Sequence, residues 1–213
     1  MAASTRPEDW RSRFYATRNA IDAVEALEVL TKREALLRGH FRLSSGRHSD
    51  IFVQKSRIFE HPGLTQHFGE SIAASFSGSF DTVATPAIGA IVLGFATALA
   101  AGSRFIFAER VHGEMQFRRG FRITPRERVL VVEDVITTGG SAAEVVQLVR
   151  QSGGDPVGVA ALIDRGDPAR RSRMGAPVKA VLRLDTTSWS EESCPLCDKN
   201  EPLDDPGSRR LSA

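Results

Sequence analysis

The residues best suited to chemistry lie in "RVLVVEDVITTGGSAAEVVQLV", residues 128–149. Four apolar residues run into two acids, Glu133 and Asp134. Val135 and Ile136 then lead to the loop Thr137, Thr138, Gly139, Gly140 and Ser141, after which Ala142, Val145, Val146 and Val149 take up helical spacing. Carboxylates repel phosphate, so the acid pair suits sugar hydroxyls or a divalent cation. The loop suits the opposite partner. A helix N-terminus has N–H groups without intrahelical acceptors, its dipole favours an anion, and glycine lets the backbone approach closely. One ligand with both faces, a phosphorylated sugar with free hydroxyls, satisfies the whole stretch. A solvated strand end with an ordinary turn is the competing reading, and the density of hydroxyls speaks against it. The G-x-x-x-x-G-K-[ST] and G-x-G-x-x-G spacings are absent.

Other charged residues fall at comparable places. Arg165 follows the apolar run "VGVAALID" and offers a planar cation that matches a carboxylate in bidentate fashion. Its competing role is to pair with Asp164 or Asp167. "RVHGEMQFRRG" concentrates Arg110, His112, Arg118 and Arg119 around two glycines and reads as a long hairpin or loop, with a solvated basic hairpin as the alternative. Lys55 and Arg57 follow "SDIFVQ" and suit an active site and a surface equally.

These residues need elements to hold them. "DTVAT", "RFIFAE", "RVLVV", "VGVAALID" and "KAVLRLD" read as strands, and they alternate with helices at "HPGLTQHFGESIAASF", "AIVLGFATALA" and "AAEVVQLV". That alternation implies α/β architecture, an open parallel sheet flanked by helices, whose buried strands are continuously apolar. Ligands in such sheets bind at the carboxyl ends of the strands, where Glu133 and Asp134 end "VLVV". An earlier helix places Ala23, Val24, Leu27 and Leu30 on one face behind a cap at Asn19. "HFRLSSGRHSDIFVQKS" reads as two short extended pieces around a Ser-Gly turn, and "DDPGSRRLSA" as a disordered tail.

A chain of 213 residues with 41% hydrophobic and 25% charged residues suits one soluble globular domain. A net charge of +2 gives no general attraction for nucleic acid. Residues 82–103 carry no charge, but Pro86, Gly89 and Gly94 fit a buried strand, turn and helix better than a membrane span. The N-terminus lacks an apolar signal region, and a cytoplasmic setting is expected. Cys194 and Cys197, in "CPLC", have the spacing of half a zinc site. Histidines or a second chain would have to complete it, and two unligated thiols in a surface turn are the favoured reading.

"VLVVEDVITTGGSA" resembles the phosphoribosyl-diphosphate signature of the type I phosphoribosyltransferases. The resemblance implies that Glu133 and Asp134 contact ribose hydroxyls and that the loop from Thr137 to Ser141 holds the 5′-phosphate. "HFRLSSGRHSDIFVQK" is similar to the hood of the orotate phosphoribosyltransferases. "ATPAIGAIVLG", with Ala87, Ile88 and Gly89, resembles their diphosphate loop, and "FAERVHGEMQFRRGFRI" their mobile catalytic loop. "ALIDRG" resembles the strand whose arginine, here Arg165, meets the orotate carboxylate, with Thr137 also near the base. "CPLC…PLDDPGSR" is similar to the tail of one bacterial branch. The implied organisation is one domain over 1–213: a helix and hood over about 18–60, an α/β core over about 61–188, and a tail over 189–213.

The implied reaction transfers a phosphoribosyl group from phosphoribosyl diphosphate to orotate, giving orotidine 5′-phosphate and diphosphate in pyrimidine synthesis. Mg²⁺ is the implied cofactor, with no side chain assigned as its direct ligand. A homodimer with shared sites is the implied assembly, with neither nucleic acid nor membrane as partner. Glu133, Asp134 and Arg110 are the catalytic candidates; Arg118, Arg119, His112 and Lys55 are candidates for the diphosphate side. The chain departs from the family pattern in having Gly89 and Ser44 where lysines are usual, and "RVHG" in place of a lysine-rich loop. A transferase for another base and a regulator that kept the fold are the alternatives. Arg165 argues against the first, and the near-neutral charge against the second.

Overall fold

The computed structural model describes residues 21–43, 45–166 and 171–206. Asn19, Ser44, Asp167 and the end of the tail, named above, lie outside that range.

The main sheet has the order β5-β4-β3-β6-β7-β8. Its strands are β3 (Thr82–Pro86), β4 (Arg104–Val111), β5 (Glu114–Phe117), β6 (Arg128–Ile136), β7 (Asp155–Asp164) and β8 (Val178–Arg183). All neighbours are parallel except β4 and β5, which form an antiparallel hairpin turning at His112 and Gly113. The residue pattern dictates this burial. Along β6, Leu130 and Val132 enter one apolar cluster while Val129 and Val131 enter the other, the period-two alternation of a strand covered on both faces.

The first cluster takes Leu30 from α1 (Ala23–Lys32), Phe68 and Ile72 from α3 (Pro62–Ser75) and Leu93 from α4 (Ile91–Ala101). A single-turn helix, α2 (Ser56–Phe59), precedes α3. The second cluster takes Ala142, Val145, Val146 and Val149 from α5 (Gly140–Gln151), the spacing expected of that helix. Burying each such aliphatic side chain contributes about 1.5–3 kcal/mol. Helix α4 therefore covers one face after β3, and α5 the other after β6. The connections diverge between β3 and β6, and that divergence opens a crevice at the strand ends.

Two expectations shift. Helix α1 begins at Ala23, capped by Asp22, whose Oδ1 accepts from Val24 N at 2.8 Å and Glu25 N at 2.9 Å. Its buried stripe is Ala26 and Leu30, joined by Ile21, so Val24 and Leu27 are exposed rather than packed. The acids do not end β6 either. Pairing with β3 stops at Val131, but pairing with β7 continues through Ile136↔Asp164, so Glu133 and Asp134 sit inside a strand that has lost one neighbour.

A second sheet, ordered β10-β1-β2-β9, forms the hood. The hairpin of β1 (Leu36–Arg42) and β2 (His48–Val53) is flanked by β9 (Ser188–Trp189) and β10 (Leu203–Asp204) from the tail. Between those two strands lies the four-residue helix α6 (Pro195–Asp198). Among the described residues no helix is long and apolar enough to cross a membrane.

Candidate active site

Asp134 is buried at the crevice and Glu133 half-buried. Glu133 Oε1 accepts from Asp134 N at 3.1 Å, and Asp134 Oδ1 from Val135 N at 2.6 Å. Burial first, and the neighbouring Asp134 charge second, push the Glu133 carboxyl up to about 8. A carboxyl in that state holds a proton at neutral pH until a ligand changes its surroundings.

Lys55 reaches the site. It leaves the end of β2, and its ammonium pairs with Asp134 Oδ2. Arg57 turns outward to Glu60, at 3.6 Å, and is a surface charge. The loop after β3 closes the other side. Ala87 N donates to Ala108 O at 2.8 Å, and the Ala87–Ile88 peptide is cis. A Cβ at Gly89 would collide with the Asp134 carboxylate and the Lys55 ammonium. The loop thus passes close to the Lys55–Asp134 pair, and a side chain at position 89 would displace the ends of those two side chains.

On the far side of Asp134 lies the anion cradle. Gly139 caps α5 at φ +76° and has no side chain of its own to bond the helix end, which Thr138 Oγ1 reaches at 3.5 Å from Gly140 N. A Cβ at Gly139 would strike the Met174 methyl, so both the backbone angle and the space call for glycine. Thr137 and Thr138 are exposed beside the open N–H groups.

Arg165 sits next to this loop, its N–H donating to Ile136 O at 2.8 Å. Its Nε donates to Thr186 Oγ1 and its Nη2 to Ser49 Oγ, each at 2.9 Å. Asp164 is engaged elsewhere, with Arg171, Arg183 and the N–H of Gly166, so its expected alternative pairing with Arg165 does not form, while Asp167 lies outside the described residues. Burial lowers the pKa of Arg165 from its usual value, while Asp50 opposes that shift. The result is a half-buried guanidinium oriented by two hydroxyls, with Asp50 near enough to act on its charge but no carboxylate in hydrogen-bond contact with it among the described residues.

The basic hairpin behaves differently from the site residues. Arg110 Nη2 pairs with Glu144 at 2.8 Å and its Nη1 donates to Gly113 O at 2.5 Å. Arg119 grips Glu109 with two bonds, at 2.9 and 3.0 Å, and lies over the Phe107 ring at 5.8 Å. Those bonds hold the Glu109 carboxyl below its usual range. His112 and Arg118 are exposed. Within one chain, the structure brings Lys55, Glu133, Asp134, Gly89, the loop of residues 137–141 and Arg165 together, and leaves Arg110, His112, Arg118 and Arg119 on the hairpin.

A phosphoribosyl transferase domain family matches residues 56–196. A curated orotate phosphoribosyltransferase from Caldanaerobacter subterraneus is 45% identical over 88% of this chain and 98% of its own length. The chain belongs to the orotate phosphoribosyltransferase family. Two crystal structures of orotate phosphoribosyltransferases agree in fold, each at 28% identity. The one from Aeropyrum pernix has a TM-score of 0.63, covering 74% of this chain and 92% of that one. The one from Mycobacterium tuberculosis has a TM-score of 0.62, covering 76% and 97%.

For an orotate phosphoribosyltransferase, the sequence motifs missed the supports. Ser49 and Thr186 lie 116 and 21 positions from Arg165, beyond any local pattern. The cysteine expectation also changes: Cys194 is fully buried and meets His40, and Cys197 meets both His40 and His48, so this is not a surface turn.

Proposed function

We propose that this orotate phosphoribosyltransferase transfers the 5-phosphoribosyl group of phosphoribosyl diphosphate to orotate, working as one domain in the cytoplasm. Arg165 carries the reading. A half-buried guanidinium whose side-chain hydrogen-bond partners among the described residues are hydroxyls suits a ligand that brings its own carboxylate, and orotate does so where neutral bases do not.

Glu133 and Asp134 contact the ribose hydroxyls, and the N–H groups beyond Thr137 hold the 5′-phosphate. A bond forms between a ring nitrogen of orotate and C1 of the ribose as the C1–O bond to diphosphate breaks. Charge develops on the leaving diphosphate, and Lys55 with the backbone of residues 87–89 lies on that side. Because orotate is already anionic, a strong general base is not required. The acid pair fits Mg²⁺, which favours one or two carboxylates plus substrate oxygens. Bound with the donor, Mg²⁺ would neutralise diphosphate charge.

Ile88, Val92, Phe95 and Leu99 expose an apolar row along and just before α4, from 46% to 83% accessible. A second copy of the chain suits that row, consistent with a homodimer whose basic hairpins serve the partner's site.

The test mixes the protein with phosphoribosyl diphosphate, Mg²⁺ and orotate and follows loss of orotate absorbance. Turnover with orotate is expected. Turnover with adenine or uracil but not orotate overturns the acceptor, and no turnover with any base overturns the enzyme reading.

A further inference from the structure

The hood sheet is fastened by the tail at a spot crowded with metal-ligating atoms. His40 lies on β1 and His48 on β2, while Cys194 and Cys197 flank the start of α6. His40 is 4% exposed, His48 1% and Cys194 0%. One donor atom from each of the four lies within 4.8 Å of every other. His40 Nε2 is 3.0 Å from His48 Nδ1, 3.5 Å from Cys194 Sγ and 3.7 Å from Cys197 Sγ; Cys197 Sγ is 3.2 Å from His48 Nδ1. A tetrahedron with zinc–nitrogen bonds of about 2.0–2.1 Å and zinc–sulfur bonds of about 2.3 Å has edges of roughly 3.3–3.8 Å.

The hydrogen bonds around the cluster point the same way. His40 Nδ1 lies 2.9 Å from Glu201 O. A carbonyl only accepts, so Nδ1 carries the proton and Nε2 turns a bare lone pair toward the thiols and His48. A ligating imidazole is normally held in this manner, its second nitrogen donating to a backbone carbonyl. His48 Nε2 has no hydrogen-bond partner, so Nδ1, aimed into the cluster, is its one engaged nitrogen. Two thiols and two imidazoles in a closed, buried group form the donor set of a structural zinc site.

We propose that His40, His48, Cys194 and Cys197 bind one structural Zn²⁺ that locks the C-terminal tail onto the hood. The topology gives the metal work to do. β9 pairs with β2 at His48↔Trp189, and β10 pairs with β1 at His40↔Leu203. Two-residue edge strands hold weakly by themselves, and a metal between them closes the tail over the hairpin. Binding displaces the two thiol protons to solvent and leaves both imidazoles neutral. Ser49, next to His48, and Thr186, just before β9, are the hydroxyls that orient Arg165. The metal thus braces the sheet behind that arginine.

The full chain, purified without a histidine tag from zinc-supplemented culture and desalted, is expected to carry about one zinc per chain by elemental analysis. Replacing the metal with Co²⁺ is expected to give intense thiolate-to-cobalt charge-transfer absorption and the visible bands of a tetrahedral ion. Removing zinc with a strong chelator should lower the melting temperature by roughly 10 °C, restored on adding zinc back. A wild-type protein that retains less than about a tenth of an equivalent and shows no charge-transfer band with Co²⁺ overturns the proposal. So does a folded Cys194→Ser/Cys197→Ser variant that keeps its full zinc content. The wild-type measurements do not depend on that variant folding, and neither requires turnover.

Discussion

The ammonium of Lys55 pairs with the Asp134 carboxylate, joining residues 79 positions apart in the chain. Lys55 belongs to the hood, at the end of β2; Asp134 is buried at the open side of β6. The pair stitches hood to core at the mouth of the crevice, and the loop after β3 passes close to it at Gly89. It also brings the ammonium of a candidate for the diphosphate side, Lys55, to the acid pair.

Replacing Lys55 should therefore hurt the donor more than the acceptor. Lys55→Ala leaves Asp134 buried without its partner and removes positive charge near the leaving group. The expected result is a rise of roughly tenfold in KM for phosphoribosyl diphosphate, discounted because Lys55 is partly exposed. KM for orotate should change little. Steady-state kinetics with each substrate varied in turn distinguishes the two; an equal loss for both would contradict the assignment.

Arg165 gives the converse pattern. Arg165→Ala should raise KM for orotate by roughly 10–100-fold, the range expected on losing charge-assisted hydrogen bonds to a carboxylate, while donor affinity holds. Arg165→Lys should recover little, since an ammonium cannot bridge Ser49, Thr186 and a carboxylate as the planar fork does. Isothermal titration of each substrate checks both, and unchanged orotate affinity in Arg165→Ala would remove the carboxylate role.

Gly139 tests the phosphate cradle. Gly139→Ala places a side chain at φ +76° and drives its Cβ into Met174, so a loss of about 1–3 kcal/mol in stability and weaker donor binding are expected. Adding Met174→Ala relieves the collision but empties a core position that is 2% exposed, at a cost of about 2–5 kcal/mol, so the double variant should melt no higher than Gly139→Ala alone, which thermal unfolding of the two checks.

The proposed dimer rests on the row of Val92, Phe95 and Leu99. Leu99→Glu puts a charge on a residue that is 65% exposed in one chain. It should shift sedimentation from dimer to monomer without lowering the monomer's own stability by more than about 0.5 kcal/mol. A wild-type chain that sediments as a monomer at working concentration contradicts the dimer.

What could be read from residues alone follows from how local each signal is. The acid pair, the hydroxyl loop and the helix after it are contiguous, so sequence pattern and structure agree on Asp134, Gly139 and the N-terminus of α5. The parallel sheet was legible from its unbroken apolar strands. Lys55 was legible only as a candidate, open between active site and surface, and Ser49 and Thr186 were not, because each reaches the site through the hood or tail and depends on long-range pairing. The hairpin depends on what a single chain does not hold: its arginines suit phosphate by composition, while within their own chain Arg110 pairs with Glu144 and Arg119 with Glu109. The phase of α1 went astray because Asp22, not Asn19, caps it. "CPLC" concealed its environment, since His40 and His48 precede it by some 150 positions.

Glu133 makes a pH-dependent prediction. Its carboxyl is near the usual value of 4.5 when unfolded and about 8 when folded, through burial and then the Asp134 charge. Between those values the folded protein binds more protons than the unfolded chain, so this group's stabilising contribution is full below about 4.5 and is lost as pH rises through about 8. Glu133→Gln keeps the shape and cannot ionise. The unliganded variant should match wild type near pH 5 and exceed it at pH 9, by about 1–2 kcal/mol once the half-exposure of the side chain is allowed for. Denaturant unfolding at the two pH values measures this. Equal stability differences at both would mean that Glu133 titrates as an ordinary surface carboxyl. The same variant cannot present a charged acceptor to the ribose hydroxyls, so its donor affinity should lose the rise with pH expected of wild type.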